Sequence, residues 1–484
     1  MENTTSKELE SVLEAKWEEY KQKVKQGGDA QKIYQEEIWP LLLQVWKEKP
    51  KVIPTPKKFD VSIHTLGTSP EATTFAILGT QADEIYILHT EETKKFISKI
   101  ETDTGKKVYP IEIGKSDVAS IYKQVIKILE KHPEKSIALD ITSGTKAMSA
   151  GLSAAGFFFR RFFETIRVVY VDNDLYDLEV RRPKAGTEKL IILPSPHEVL
   201  ADVDVLLALE NYKRKDYISA HKYFLKAREK TGNQKFQLFE DLCLMYGFWF
   251  NLNIKDAYKK SQQILEKMNS ESYSMYTTNE LLDYGYLEKQ SQILKAIDNF
   301  TETEDFGNIV GVIALAETLL YLSSESLQKK QLALSALYVY RALELLLQQR
   351  MKHMGKNFET ASLLPEEKEN LKQKLAMILG EDEEDITFKT KLGLLELLTY
   401  LLILQDELIK RIFNEDTVKK LARNLKTRNA SLLIHGLKSP SENEIEKLYE
   451  KTEKLLEEIK KETNISITLE PHNLGIRVLH VMEA

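Results

Sequence analysis

Apolar positions change their spacing twice along the chain. From about Lys7 to Val24, and again from about Ala30 to Trp46, they recur every three or four residues, which predicts two helices each with one buried face. The "GGD" at 27–29 separates them, and Pro40 predicts a kink inside the second. Residues 1–56 therefore read as a helical extension capping whatever follows, and "PKVIPTPKK" at 50–58 as a proline-punctuated linker. Short runs rich in Val, Ile and Tyr come next: 59–66, 83–90, 106–113, 135–142 and 166–173. Helical patterns alternate with them at Pro70–Leu78, Glu91–Thr102, Val118–Lys131 and Lys146–Phe163. Strands alternating with helices predict a parallel sheet with crossovers, a Rossmann-like domain over 57–195 that closes at 190–198. From about 197 to 463 the pattern is helical almost throughout, so 196–484 reads as an all-α region. Within it, 210–227 has the look of one tetratricopeptide-like hairpin, but no 34-residue repeat follows. The tail from Asn464 to Val481 alternates apolar and polar residues and predicts a strand pair.

Composition narrows the function. A length of 484 residues favours two or three domains, and 42% hydrophobic residues suffice for ordinary cores. A net charge of −6 excludes a cationic nucleic-acid coat, so any nucleic-acid contact must be local. Cys243 is the single cysteine, no apolar run reaches about 18 residues, and the N-terminus is polar. The expectation is a cytoplasmic protein without disulfides or a membrane span. The acidic "GEDEED" at 380–385 reads as a solvated turn, and no His/Cys/Asp/Glu cluster has metal-ligand spacing.

In a doubly wound sheet, ligands bind beyond the carboxyl ends of the strands. Two loops stand there. One is Gly67-Thr68-Ser69 before Pro70; the other runs from Asp140 through Thr142, Ser143, Gly144, Thr145 and Lys146 to Met148. Each leaves an apolar strand, turns through small hydroxyl residues and enters a helix. Close backbone approach, hydroxyls and a helix N-terminus suit a phosphate, and Lys146 adds a cation. Helix capping by Thr142 or Ser143 is the competing explanation. Neither G-x-G-x-x-G nor G-x-x-x-x-G-K-[ST] occurs, which disfavours a dehydrogenase or an ATPase.

The run "DITSGTKAM" after a buried strand is similar to the signature loop of CARF domains, the sensor domains of type III CRISPR systems, and "LGTSPE" sits where that family has its other ligand loop. The resemblance covers 57–195. It implies a homodimer that binds cyclic oligoadenylate, tetra-adenylate being more frequent in the family than hexa-adenylate. The implied ligand residues are Gly67, Thr68, Ser69, Thr142, Ser143, Gly144, Thr145, Lys146 and Met148. It also leaves open slow cleavage of that ligand by the sheet domain.

The stretch "RNASLLIHG" places Arg428 and His435 seven positions apart, with Asn429 after the arginine. With 13 arginines, 9 histidines and three admissible spacings, about 0.7 such matches arise by chance, and Arg214 with His221 is a second one. Context separates them. Arg214 lies in the turn "KRKD", whereas Arg428 and His435 share one apolar-periodic segment. Seven helical residues are two turns, about 10 Å, so both side chains face one way. A histidine closing a helix before Gly436 also satisfies the macrodipole, which is the plain alternative. The segment resembles the HEPN ribonuclease motif, and 336–351 resembles the earlier helix that packs on the motif helix in that fold. CARF followed by HEPN is the order of the CRISPR-associated CARF–HEPN ribonucleases.

That resemblance implies an endoribonuclease cutting single-stranded RNA without metal or cofactor, through the neighbouring 2′-OH. His435 would move protons, Arg428 would stabilise the phosphorane and Asn429 would orient either one. Two such pairs meeting across a two-fold axis would make a sufficient site. The rivals are a ligand-sensing transcriptional regulator and a scaffold without nuclease activity. The first fits poorly with a long, weakly basic helical region, and the second with an intact Arg–Asn–His set.

Overall fold

The structure, a computed structural model, describes residues 2–54, 58–270, 282–429, 441–467 and 469–474, with the backbone alone at 2–7 and 424–429. It divides into two compact units, Met1–Leu200 and Ala201–Ala484.

The first unit is built on a seven-stranded sheet. Its strands are β1 (Val52–Ile53), β2 (Val61–Thr65), β3 (Glu84–His89), β4 (Tyr109–Glu112), β5 (Ile137–Asp140), β6 (Ile166–Asn173) and β7 (Glu188–Leu193). The spatial order is β1-β7-β6-β5-β2-β3-β4, parallel except where β7 runs antiparallel to β6. A two-stranded ribbon, Tyr176–Asp177 with Arg182–Pro183, decorates the β6–β7 connection. Every residue of β2 and β5 is buried, as both faces of a parallel sheet must be covered.

Side chains alternate between two cores. Val61, Ile63, Tyr86, Leu88, Ile137 and Leu139 face α5 (Val118–Lys131) and α6 (Lys146–Phe159). Ile85, Ile87, Ala138, Val169 and Leu190 face α3 (Pro70–Thr80) and the N-terminal helices, α1 (Glu2–Lys25) and α2 (Trp39–Glu48). The predicted second N-terminal helix is broken, as Pro40 required. A turn at Ala30–Ile33 runs into a π-helical turn, Tyr34–Ile38, before α2 begins, because Pro40 has no N–H to continue the ladder. Trp17, Tyr20, Trp39 and Trp46 from these helices are almost wholly buried against the sheet.

The linker expectation at 50–58 needs correction. Val52 and Ile53 add an edge strand beside Leu190 and Ile191, because β7 would otherwise leave its backbone groups unpaired. The helix expected over Glu91–Thr102 starts later, as a 3-10 turn at Lys94–Phe96 followed by α4 (Ile97–Thr104).

In the second unit each helix packs on the next: α7 (Asp202–Lys213), α8 (Tyr217–Thr231), α9 (Phe236–Phe250), α10 (Ile254–Met268), α11 (Tyr284–Thr303), α12 (Ile309–Gln328) and α13 (Leu332–His353). Ala220, Phe224 and Ala227 on α8 show the helical spacing that buries one face. Helix α12 is long and apolar enough to cross a membrane by length and composition, but 61% of that window is buried inside the unit. Then follow α14 (Pro365–Leu379), α15 (Leu394–Ile403), α16 (Glu407–Ile412), α17 (Glu415–Asn429) and α18 (Glu442–Thr463).

The tail expectation fails over its described part. Residues 465–467 and 469–474 form no strand; the remainder lies outside the described residues. Instead Tyr212 donates its hydroxyl to the His472 carbonyl at 2.7 Å, the His472 N–H reaches Tyr246 at 2.7 Å, and Gln290 reaches the Glu470 carbonyl at 2.7 Å. Helix side chains satisfy the tail's backbone where a partner strand would have done so.

Candidate functional site

Strands β2 and β5 are neighbours at the centre of the sheet, and the chain leaves them in opposite directions: β2 leads to β3, β5 to β6. This is a topological switch point, where open α/β sheets bind ligands. Both expected loops emerge there and are locked together. Ser143 turns its hydroxyl back to accept the Gly67 N–H at 2.8 Å, and Thr65 donates to the Ser143 carbonyl at 2.5 Å. A Cβ on Gly67 would lie 2.7 Å from the Gly144 nitrogen, so only glycine allows this approach. Gly144 itself has φ +91°, the left-handed region that favours glycine.

One carboxylate organises the second loop. Asp140 is fully buried at the end of β5; its Oδ1 accepts the Thr142 N–H at 3.0 Å and the Thr142 hydroxyl at 2.5 Å. Its Oδ2 meets His64 Nδ1 at 3.0 Å, and His64 Nε2 meets the Ser62 hydroxyl at 2.8 Å. Thr142 in turn accepts the Val171 N–H at 2.7 Å, tying the loop to β6. The helix-cap role falls to neither Thr142 nor Ser143 but to Thr145, which caps α6 by accepting from the Met148 N–H at 3.2 Å.

The nine expected ligand residues thus divide. Thr68, Ser69 and Thr142 line a cleft of about 570 Å³. Gly67, Ser143 and Gly144 form the junction behind it. Thr145 caps α6 and also donates to the Lys115 carbonyl at 2.6 Å, and Lys146 is exposed on the first turn. The Met148 side chain is fully buried in the sheet core with Leu152 and Ile121, so it anchors the helix and does not line the cleft.

Pattern reading missed the rest of the cleft. Tyr34, Lys99, Arg182, Tyr170, Asn173 and Glu188 also line it. The Arg182 guanidinium lies 3.7 Å from the centre of the Tyr34 ring and donates to Gln31 at 2.6 Å. Burial pushes the Glu188 carboxyl up to about 7 and the Tyr34 hydroxyl higher still.

In the second unit, Arg428 and Asn429 occupy the last turn of α17, while His435 lies outside the described residues. Helix α17 packs on α14 and α15. Helix α13 packs chiefly on α12, α15 and α18, and its expected contact with the motif helix turns on a segment, 430–440, that lies outside the described residues. Near the end of α13, Arg350 donates to Asp406 at 2.7 and 3.1 Å and to Glu462 of α18 at 2.5 Å, which ties the helix to the α15–α16 turn and α18. Of the rival pair, Arg214 is exposed in an ion pair with Glu210, and His221 sits on the next helix with its Nδ1 buried and unbonded. Among the described residues no group of three or more His, Cys, Asp or Glu side chains is placed to hold a metal ion.

Residues 303–459, which contain α12 to α17 and the Arg428–His435 segment, match the family model described as the Csm6 HEPN domain. Over 464 residues the chain is 47% identical to the CRISPR system endoribonuclease Csm6 of Thermus thermophilus, covering 96% of this chain and 99% of that one. The chain belongs to the Csm6 family of CRISPR endoribonucleases. A Csm6 from Enterococcus italicus, solved bound to cyclic hexa-2′-fluoro-hexa-dAMP, is 13% identical with a TM-score of 0.45, over 88% of this chain and 97% of that one. Can2 from Sulfobacillus thermosulfidooxidans, solved with cyclic tetra-adenylate, is 16% identical with a TM-score of 0.22, over 40% and 67%. In this Csm6 family member the CARF-type sheet domain comes first in the chain and the HEPN-containing helical region second.

Proposed function

We propose that this protein is a cyclic-oligoadenylate-activated endoribonuclease that cuts single-stranded RNA without a metal ion in type III CRISPR antiviral defence, acting in the cytoplasm as a homodimer. The observation that carries the reading is 47% identity along nearly the whole length of a CRISPR endoribonuclease. The switch-point cleft supports the sensor half, since Thr68 and Ser69 carry hydroxyls on its wall, the groups that bond a phosphodiester, and Thr142 ties the loop behind them to β6.

Cleavage follows from the residue types in the motif. The 2′-oxygen of the RNA bonds to the adjacent phosphorus as the 5′-oxygen leaves. One proton must come off the first and one must reach the second, work suited to the two His435 imidazoles of a dimer. Arg428 forks onto the phosphorane oxygens, and Asn429 orients the pair. Tetra-adenylate is the ring we favour over hexa-adenylate.

The test is cleavage of a fluorescent single-stranded RNA in EDTA, with each ring added in turn. Wild type should cut only with a ring present. Arg428→Ala and His435→Ala should each lose at least a hundredfold in rate, about 3 kcal/mol or more of barrier, without loss of stability; His221→Ala should cut normally. Wild-type rates in His435→Ala would remove it from catalysis. Ring binding without RNA cleavage by wild type would leave a sensor scaffold. Indifference to every ring would end the activation reading.

A further inference from the structure

Glu188 begins β7, opposite Asn173 of β6, and its side chain is 5% exposed yet lines the cleft. A buried carboxyl normally has a cation bonded to it. Among the described residues no cation is bonded to this one: the nearby Lys51 ammonium donates instead to the Gly186 carbonyl at 2.7 Å, and the Glu188 carboxyl receives the Gly186 N–H on Oε2 at 2.7 Å and its own backbone N–H. Arg182, stacked on Tyr34, lines the same cleft, and a planar guanidinium on an aromatic ring is a surface on which a base stacks.

We propose that the Glu188 carboxyl is the hydrogen-bond donor that reads a ring nitrogen of an adenine in the bound ligand, beside the Arg182–Tyr34 stack. The inference rests on the reading of this cleft as an oligoadenylate site. The chemistry selects adenine because its ring nitrogens are acceptors and its neighbouring amine is a donor. An ionised Glu188 would set negative charge against the lone pair of the ring nitrogen, whereas the acid donates to it. Burial makes the acid available, pushing the carboxyl up to about 7, against the opposing pull of its own backbone N–H, the Gly186 N–H and the Lys51 charge. Phosphates entering the cleft favour the acid further.

The charged and titratable groups around the carboxyl are Lys51 leading into β1, Tyr34 of the π-helical turn and Arg181 and Arg182 of the ribbon, with Glu71, Lys99 and Asp172 elsewhere on the wall. Glu188→Gln leaves all of them in place and supplies a permanent amide donor, so it isolates the titration of Glu188.

The experiment measures the affinity of the full chain for cyclic tetra- and hexa-adenylate from pH 6 to pH 9, with thermal melts confirming that each variant folds. Wild type should lose about tenfold in affinity across this range, the scale of one neutral hydrogen bond and an unpaired partner. Glu188→Gln should bind with a flat profile, and Glu188→Leu should be about tenfold weaker at pH 6 and also flat. A Glu188→Leu affinity equal to wild type at pH 6 overturns the proposal, as does a wild-type pH slope surviving in Glu188→Gln. If Glu188→Leu fails to fold, the slopes of wild type and Glu188→Gln decide alone. Wild type binding neither ring at any pH overturns the ligand reading and this inference with it, whereas intact wild-type binding with indifferent variants overturns this inference only.

Discussion

At Asp140 one buried carboxylate holds three groups: the Thr142 N–H, the Thr142 hydroxyl and the His64 ring. The hydroxyls and the one glycine in "DITSGTK" made a tight strand-to-helix turn at the end of β5 legible, open in the sequence to a ligand loop or a helix cap. That Asp140 is the organiser was not legible, since nothing in the sequence says that His64 of β2 and Asp140 of β5, 76 residues apart, lie side by side. Met148 shows the reverse case: it fell inside a recognisable run, yet the helical period turned its side chain into the core. Asp140→Ala should strand the Thr142 N–H and free the loop. The expected loss is about 2–3 kcal/mol of stability and about tenfold in affinity for the ring, measured by denaturant melts and ring titration. Full affinity with reduced stability would restrict Asp140 to a structural role.

Elements were legible where period and caps agreed. Helix α5 has the bounds that its pattern predicts, with Asp117 capping it from the Ser120 N–H at 2.9 Å. Over its described part the alternating tail misled because period two only permits a strand; a strand also needs a partner edge, and there helix side chains bond its backbone instead. The partners of Arg350 on α13 were also illegible, since Asp406 and Glu462 lie 56 and 112 residues further along the chain. Arg350 and Asp406 form a buried pair that the exposed Glu462 extends, and Asp406 also caps α16 through the Ile409 N–H at 2.9 Å. Arg350→Ala should cost about 3–5 kcal/mol, because it leaves Asp406 buried without its cation. The double variant with Asp406→Ala should cost much less than the sum of the two single losses. Additive losses in urea unfolding would show that the pair does not act as a unit.

At the scale of the molecule, two successive patterns announced two units: strands alternating with helices, then helices alone. The cleft was hidden because Tyr34 lies far along the chain from Arg182 and Glu188, and they meet only when the N-terminal helices cover the sheet. Lys146 remains the test of how this unit would govern the other. It stands exposed at the first turn of α6, beyond the cleft, where the helix dipole already favours an anion. In a two-fold dimer each such loop would have a copy facing it, so one ring could engage both lysines. A ligand shifts a conformational equilibrium only by its differential affinity for the two states. If Lys146 contributes binding alone, Lys146→Ala should move the RNA-cleavage activation curve to about ten- to a hundredfold higher ring concentration, equivalent to losing about 1.5–3 kcal/mol, and keep its plateau. A lowered plateau would mean that Lys146 transmits the switch as well as binding the ring, since saturation cannot replace a contact made in only one of the two states. A mutant curve superimposed on the wild-type curve would remove Lys146 from the ligand site and confine recognition to the cleft itself.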